Sequence, residues 1–188
     1  MAPAAHLLIS WLCAVPIFRQ SRERRLVAFA GISPDIDGIG IFIDKLSANK
    51  TDFYFEYHHY LCHNIFASIV ISILATALAK SQRAAVFCVS LFVVHIHLLC
   101  DILGSRGPDG YQWPILYLFP ANKTFELTWN GQWELNAWQN QFIIIMLFVL
   151  CFLVLSKKRI TFIEVISPRL ESEAIQMWKK YFKKKLKK

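Results

Sequence analysis

The sequence predicts an all-α fold: a polytopic membrane bundle of about four to five apolar helices, with a basic amphipathic helix at the C-terminus. Three observations carry this reading. The chain of 188 residues is 55% hydrophobic with a mean hydropathy of +0.38, high for a soluble domain and ordinary for a small multi-span protein. Its apolar runs are separated by short basic clusters. Its net charge of +8 is concentrated at one end. Residues 157–188 hold eleven Lys/Arg against three acids, so the rest of the chain balances at zero. The basicity therefore belongs to a tail and not to a nucleic-acid surface, and no nucleic-acid partner is expected. Such a tail suits anionic lipid headgroups on the cytoplasmic side.

The elements follow in order. Ala4 to Phe18 reads as a short apolar helix, marginal for a full span. Arg19 to Arg25 reads as a charged connection. Leu26 to Ile32 starts a second helix, interrupted by Pro34 and the Gly38/Gly40 pair. Asp44 to Glu56 is polar and reads as a loop. Leu61 to Ala79 and Ala84 to Leu103 are span candidates, the first stopped by Lys80 and Arg83, the second by the turn-forming residues Gly104–Gly110. Tyr111 to Asn140, with Trp113, Trp129, Trp133 and Trp138, reads as an interfacial loop with an aromatic belt. Gln141 to Leu155 is the last span, stopped by Lys157-Lys158-Arg159. Two units result: a membrane-embedded domain over 1–156 and a basic cytoplasmic tail over 157–188. In that tail Trp178, Tyr181 and Phe182 interleave with lysines, as in an interfacial helix.

Charge bias orients the bundle. Cytoplasmic loops are enriched in Lys and Arg, so Arg19–Arg25, Lys80/Arg83 and Lys157–Arg159 are expected inside. The basic cluster follows the first apolar run, the wrong order for a cleaved signal peptide, and suits a retained helix with its start outside. The five cysteines lie in or beside apolar runs, contain no C-x-x-C pair and read as small buried hydrophobes.

This orientation ignores histidine, yet it brings every histidine patch but one residue to a single depth near the outer face. His6 opens the first helix. Asp35 and Asp37 close the second. His58, His59 and His63 precede the third, and His97 and Asp101 close the fourth. Imidazoles and carboxylates are costly in a bilayer unless partnered, and together they are a ligand set for a divalent ion. His97 and Asp101, four apart, share a helix face, as His59 and His63 do if their segment is helical. His95 points elsewhere and reads as structural. Asp35 and Asp37 tolerate such proximity best beside a cation. The expected metal ligands are thus His6, Asp35, His58, His63, His97 and Asp101. Asp37 and His59 are left as general base or as support for the ligands. One to three divalent ions fit, zinc first, manganese or iron also. Such an ion lowers the pKa of water to about 7 and provides a hydroxide nucleophile.

The order His6-Leu7, Pro34-Asp35-Ile36-Asp37, His58-x4-His63, His97-x3-Asp101 and Gly110-x2-Trp113-Pro114 resembles the bacterial inner-membrane metal-dependent hydrolases, a LexA-binding group among them. The resemblance covers about residues 1–120. His59 stands where that family usually has Arg, Tyr60 for Gly, Cys62 for Thr and Asn64 for Ser. The same motif order is distantly similar to zinc-dependent phospholipase C, and this similarity implies phosphoesters, among them phospholipids or lipid-linked phosphoesters, as substrates. The expected function is a membrane-bound hydrolase working through a metal-activated water. The alternatives are a transporter or metal carrier using the same cluster, and a non-catalytic adaptor recruiting a partner through its tail.

Overall fold

The structure, a computed structural model, describes residues 1–48, 50–107 and 109–182. Its order is α1 (Pro3–Ala14), α2 (Ser21–Ile32), a 3-10 turn (Ser33–Ile39), α3 (Gly40–Leu46), α4 (Phe53–Tyr57), α5 (Ile65–Leu78), α6 (Arg83–Gly104), α7 (Trp138–Lys158), a second 3-10 turn (Phe162–Val165) and α8 (Pro168–Phe182). Among the described residues there is no strand; two isolated bridges, Arg106 with Glu134 and Ile115 with Leu127, brace the long segment between α6 and α7.

Among the described residues, three helical stretches are long and apolar enough to cross a membrane: Ser21–Leu46, Arg83–Gly104 and Trp138–Lys158. The other two apolar helices, α1 and α5, have 12 and 14 residues. At 1.5 Å per residue they reach about 18 and 21 Å, short of a hydrocarbon core of about 30 Å. The apolar surface left outside is that of a lipid-facing protein. Phe142, Ile145, Phe148 and Phe152 on α7, and Phe66, Val70, Ile73 and Leu74 on α5, are all exposed, which water would not tolerate over such a patch.

Several boundaries differ from the sequence expectation. The helix of Leu26 begins earlier, at Ser21, because Arg22 and Glu23 find partners. Arg22 Nη2 donates to the Leu78 carbonyl at 2.7 Å, and Glu23 accepts from Ser81 N at 3.0 Å. As expected, Pro34 interrupts this helix, which ends at Ile32. It opens a 3-10 turn that hands the chain directly to α3, so Ser21–Leu46 runs as one helical stretch. Gly40 belongs to this device for another reason. A Cβ there would lie 2.7 Å from Tyr54 N and 2.8 Å from the Phe53 carbonyl carbon, so glycine lets α4 press against the start of α3. The expected loop over 44–56 thus holds the end of α3 and most of α4. The third helix starts only at Ile65: Asn64 caps it, accepting from Ala67 N at 2.8 Å.

The chief packing is α1 on α2, α2 on α6 and α5 on α6. Gly31 makes the α1–α2 crossing possible, since a Cβ there would fall 1.7 Å from Ser10 Oγ. On α6 the buried positions Val86, Ser90, Val93, Val94, His97 and Asp101 form one stripe. The basic connections share one end of the bundle. Arg22 meets the C-terminal end of α5, and Lys158 Nζ donates to the Val15 carbonyl just past α1. There too a buried clasp forms: Glu164 accepts from Trp11 Nε1 at 2.7 Å, Arg24 Nε at 2.6 Å and Arg24 Nη2 at 2.5 Å. The first residues of the basic C-terminal segment, as far as Val165, therefore pack into the bundle. The expected amphipathic helix is present as α8, with Arg159 seated 3.7 Å over the Trp178 ring. All five cysteines are free.

Candidate metal centre

At the opposite end of the bundle, every site residue expected from the sequence converges. His6 comes from α1, Asp35 and Asp37 from the 3-10 turn after α2, His58, His59 and His63 from the segment before α5, and His97 and Asp101 from α6. Three overlapping groups have ligand-type atoms within 4.8 Å of one another: His6, Asp35, His97 and Asp101; Asp37, His58 and His63; His59, His63 and Asp101. These groups could hold a metal ion. Asp101 and His63 are each shared by two groups.

One expectation about local structure is corrected. His59 and His63 do not lie four apart on a helix. They sit in an irregular turn, with His59 in the left-handed region at φ 71°. Asn64 holds that turn, donating through Nδ2 to the Tyr60 and Leu61 carbonyls, each at 2.9 Å. The turn aims three imidazoles inward from six consecutive residues, which a helix face cannot do.

The hydrogen bonds decide which nitrogens are free. His97 Nδ1 lies 2.7 Å from the Gly31 carbonyl, and a carbonyl only accepts, so Nδ1 carries the proton. His63 Nδ1 lies 2.9 Å from Asp37 Oδ2, and His58 Nδ1 2.8 Å from Asp37 Oδ1. In the neutral rings, the Nε2 lone pairs of His63 and His97 then face each other at 3.2 Å. Asp101 Oδ2 joins them, 3.0 Å from His97 Nε2 and 3.5 Å from His63 Nε2. It is close to both and makes a geometrically sound hydrogen bond to neither. Asp35 Oδ1 stands 3.6 Å from His97 Nε2. Two lone pairs and a carboxylate oxygen converging in a buried space repel each other unless a proton or a metal cation lies among them. Tetrahedral ligands at about 2.0–2.1 Å from a zinc ion stand about 3.3 Å apart, the spacing seen here. The residues present fit a metal.

The remaining members surround this core. The His6 ring stacks on His97 at 3.7 Å, and its Nε2 lies 3.3 Å from Asp101 Oδ1. The Met1 amino group also pairs with Asp101 Oδ1, a cation resting on the carboxylate. Asp37 is fully engaged: besides two imidazoles it accepts from Cys62 N at 3.1 Å. That is the arrangement of a carboxylate that fixes the tautomer and direction of ligand histidines. Buried Nδ1 atoms of His6 and His59, and Oδ2 atoms of Asp35 and Asp101, have no hydrogen-bond partner. Burial, reinforced by the neighbouring His63, holds the His59 imidazole well below the usual histidine range. His95 stays outside, bonded to the Leu91 carbonyl at 2.7 Å and near Tyr117 Oη at 3.0 Å.

Aromatic rings wall the centre. Tyr54 stacks on His58 with centroids 4.7 Å apart, and Trp113 stands edge-on to His58 and His59 at 5.5 and 5.3 Å. A cavity of about 670 Å³ opens beside them, reaching Asp35, His58, His59 and Asp101. Sequence reasoning missed the Gly31 carbonyl, Tyr54 and the Met1 amino group. A backbone acceptor leaves no residue-type signal, and Tyr54 falls in a stretch that reads as a polar loop.

The YdjM inner membrane protein family matches residues 1–164, so this chain belongs to that family. The match ends at the Glu164 clasp and leaves α8 outside. No curated protein and no solved structure matches the chain. The family description names a membrane and no reaction.

Proposed function

We propose that this inner-membrane protein is a metal-dependent hydrolase of phosphoesters, lipid-linked ones included. The observation that carries the reading is the convergence of His63 Nε2, His97 Nε2 and Asp101 Oδ2 within 3.5 Å of one another, with that Oδ2 left without a hydrogen bond. His6, Asp35, His63, His97 and Asp101 would hold the ion or ions, with His58, grouped with Asp37 and His63, as a further ligand. Zinc suits the mixed nitrogen and oxygen set, and manganese and iron suit it as well. Such an ion supplies Lewis acidity and lowers the pKa of water to about 7.

The chain's own residues do the rest. Asp37 orients His58 and His63, and the Gly31 carbonyl orients His97. His59, beside the cavity with a buried, unpartnered Nδ1, is placed to take a proton from an attacking water. Trp113 and Tyr54 narrow the space in which water competes. The positive-inside rule sets the centre toward the outer face and α8 on the cytoplasmic side, where its lysines meet anionic lipid. A reaction rather than metal passage is favoured because the cluster sits at one end of the bundle beside an apolar-walled cavity.

The test is metal analysis of purified protein together with turnover of bis(p-nitrophenyl) phosphate. Stoichiometric metal, turnover abolished by EDTA and restored by zinc or manganese, and loss of both in His63→Ala and Asp35→Ala support the reading. Turnover indifferent to EDTA, or a chain that stays metal-free after incubation with zinc, manganese and iron, removes it.

A further inference from the structure

Resting on that hydrolase reading, we propose that the cavity binds an amphiphilic anion, with Arg106 gripping a second anionic group and the apolar mouth taking a hydrocarbon chain. The cavity's polar lining is one-sided. Asp35 and Asp101 lie at the metal centre, Asp109 lines the cavity three residues beyond Arg106, and Arg106 is the one Lys or Arg that lines it. Its Nη2 donates to the Asn130 carbonyl at 3.1 Å, while its buried Nε has no partner. Among the described residues it enters no ion pair. A guanidinium beside a cavity with a buried, unpartnered Nε and no ion pair is a placement that an incoming anion relieves.

The backbone around Arg106 is held firmly. Its N–H donates to the Trp133 carbonyl at 3.1 Å, its carbonyl accepts from Leu135 N at 3.2 Å, and Gly107 N bonds the Tyr111 carbonyl at 2.9 Å. The backbone that carries Arg106 is therefore held beside the cavity, and its side chain is tethered by the Asn130 carbonyl.

The rest of the mouth is hydrocarbon. Ile39, Phe42 and Leu135 line the cavity yet are 54%, 63% and 52% exposed. Phe42 lies within the Ser21–Leu46 stretch that is long enough to span, so this edge of the cavity opens where lipid chains run. A soluble anion would gain nothing from these residues. An amphiphile uses both features: its charge at Arg106 and its chain against Phe42 and Leu135.

The probe is radiolabelled dodecylphosphonate, which holds no ester to hydrolyse, bound to the full chain in phosphatidylcholine nanodiscs and corrected with empty discs. Methylphosphonate and dodecyltrimethylammonium are the comparison ligands, and metal content is measured on every sample. Native protein is expected to bind dodecylphosphonate at least tenfold more tightly than either. Arg106→Gln should lose at least tenfold with metal content unchanged, and Arg106→Lys should recover part of it. Phe42→Ser with Leu135→Ser should weaken dodecylphosphonate and leave methylphosphonate unaltered. Equal affinity for both phosphonates would show a free-anion site and overturn the amphiphile; native-like binding by a metal-replete Arg106→Gln would overturn the arginine's role. A native chain without metal whose binding still depends on Arg106 keeps this site and removes the hydrolase instead.

Discussion

The same two helices, α1 and α2, carry a buried polar network at each end, and the two networks are built on opposite terms. At the basic end, Glu164 meets Trp11 and Arg24, and Arg24 Nη1 adds bonds to the Phe18 and Arg19 carbonyls at 3.1 and 2.6 Å. Charges cancel and the donors find acceptors. At the other end, carboxylates and imidazoles crowd together with four buried atoms left unpartnered. A satisfied network holds a fold together; an unsatisfied one of the same size costs stability and persists where something binds it.

The contrast yields predictions of decreasing size. The strongest concerns the unsatisfied end. His97→Ala, or Asp101→Asn, should reduce bound metal to background in elemental analysis of detergent-purified protein, while the variant unfolds at or above the temperature of the metal-stripped native chain because converging lone pairs have been removed. A variant much less stable than the metal-stripped native chain would mean that the cluster is structural.

At the satisfied end the expected result is the reverse. Glu164→Ala leaves the Arg24 guanidinium buried without its carboxylate, at a cost of about 3–5 kcal/mol. Thermal unfolding in detergent reads it, and metal content below the transition should stay native. If Arg24→Met combined with Glu164→Leu recovers most of that loss, the clasp is a replaceable strut.

Asp37→Asn tests the boundary between the two regimes, since Asp37 makes good hydrogen bonds but serves the cluster. Loss of such a supporting carboxylate lowers metal affinity about 10–100-fold. Metal competition against a calibrated chelator measures this; an unchanged affinity would demote Asp37 to packing. The smallest effect is expected outside the family match. Truncation after Ser167 should leave metal content and phosphoester turnover within about twofold, because the clasp at Glu164 is retained and interfacial helices contribute chiefly membrane contact. A larger loss would tie α8 to the centre.

Much of this site is legible in the chain. Hydropathy and the positions of Lys and Arg place four polar patches at one depth, and the folded protein brings those patches together. The i, i+4 spacing of His97 and Asp101 put both on the buried stripe of α6. The reading of His59 and His63 by the same spacing failed, because Asn64 caps α5 after them and the turn before it is shaped by hydrogen bonds, not by periodicity. The interruption expected at Pro34 is present as a change of helix type: α2 ends at Ile32, and proline fits the first turn of a 3-10 segment that leads into α3.

Composition and order of residues by themselves determined the helical class, the membrane setting and the set of side chains able to bind a cation, because these follow from transfer free energies and from charge bias along the chain. Only the tertiary structure decided which nitrogen of each imidazole is free, that the Gly31 carbonyl and Asp37 do the aiming, and that Arg106 faces the same cavity. Those choices depend on distances of a few ångströms between segments far apart in the chain, and hydrogen bonds respond to such distances where hydropathy does not.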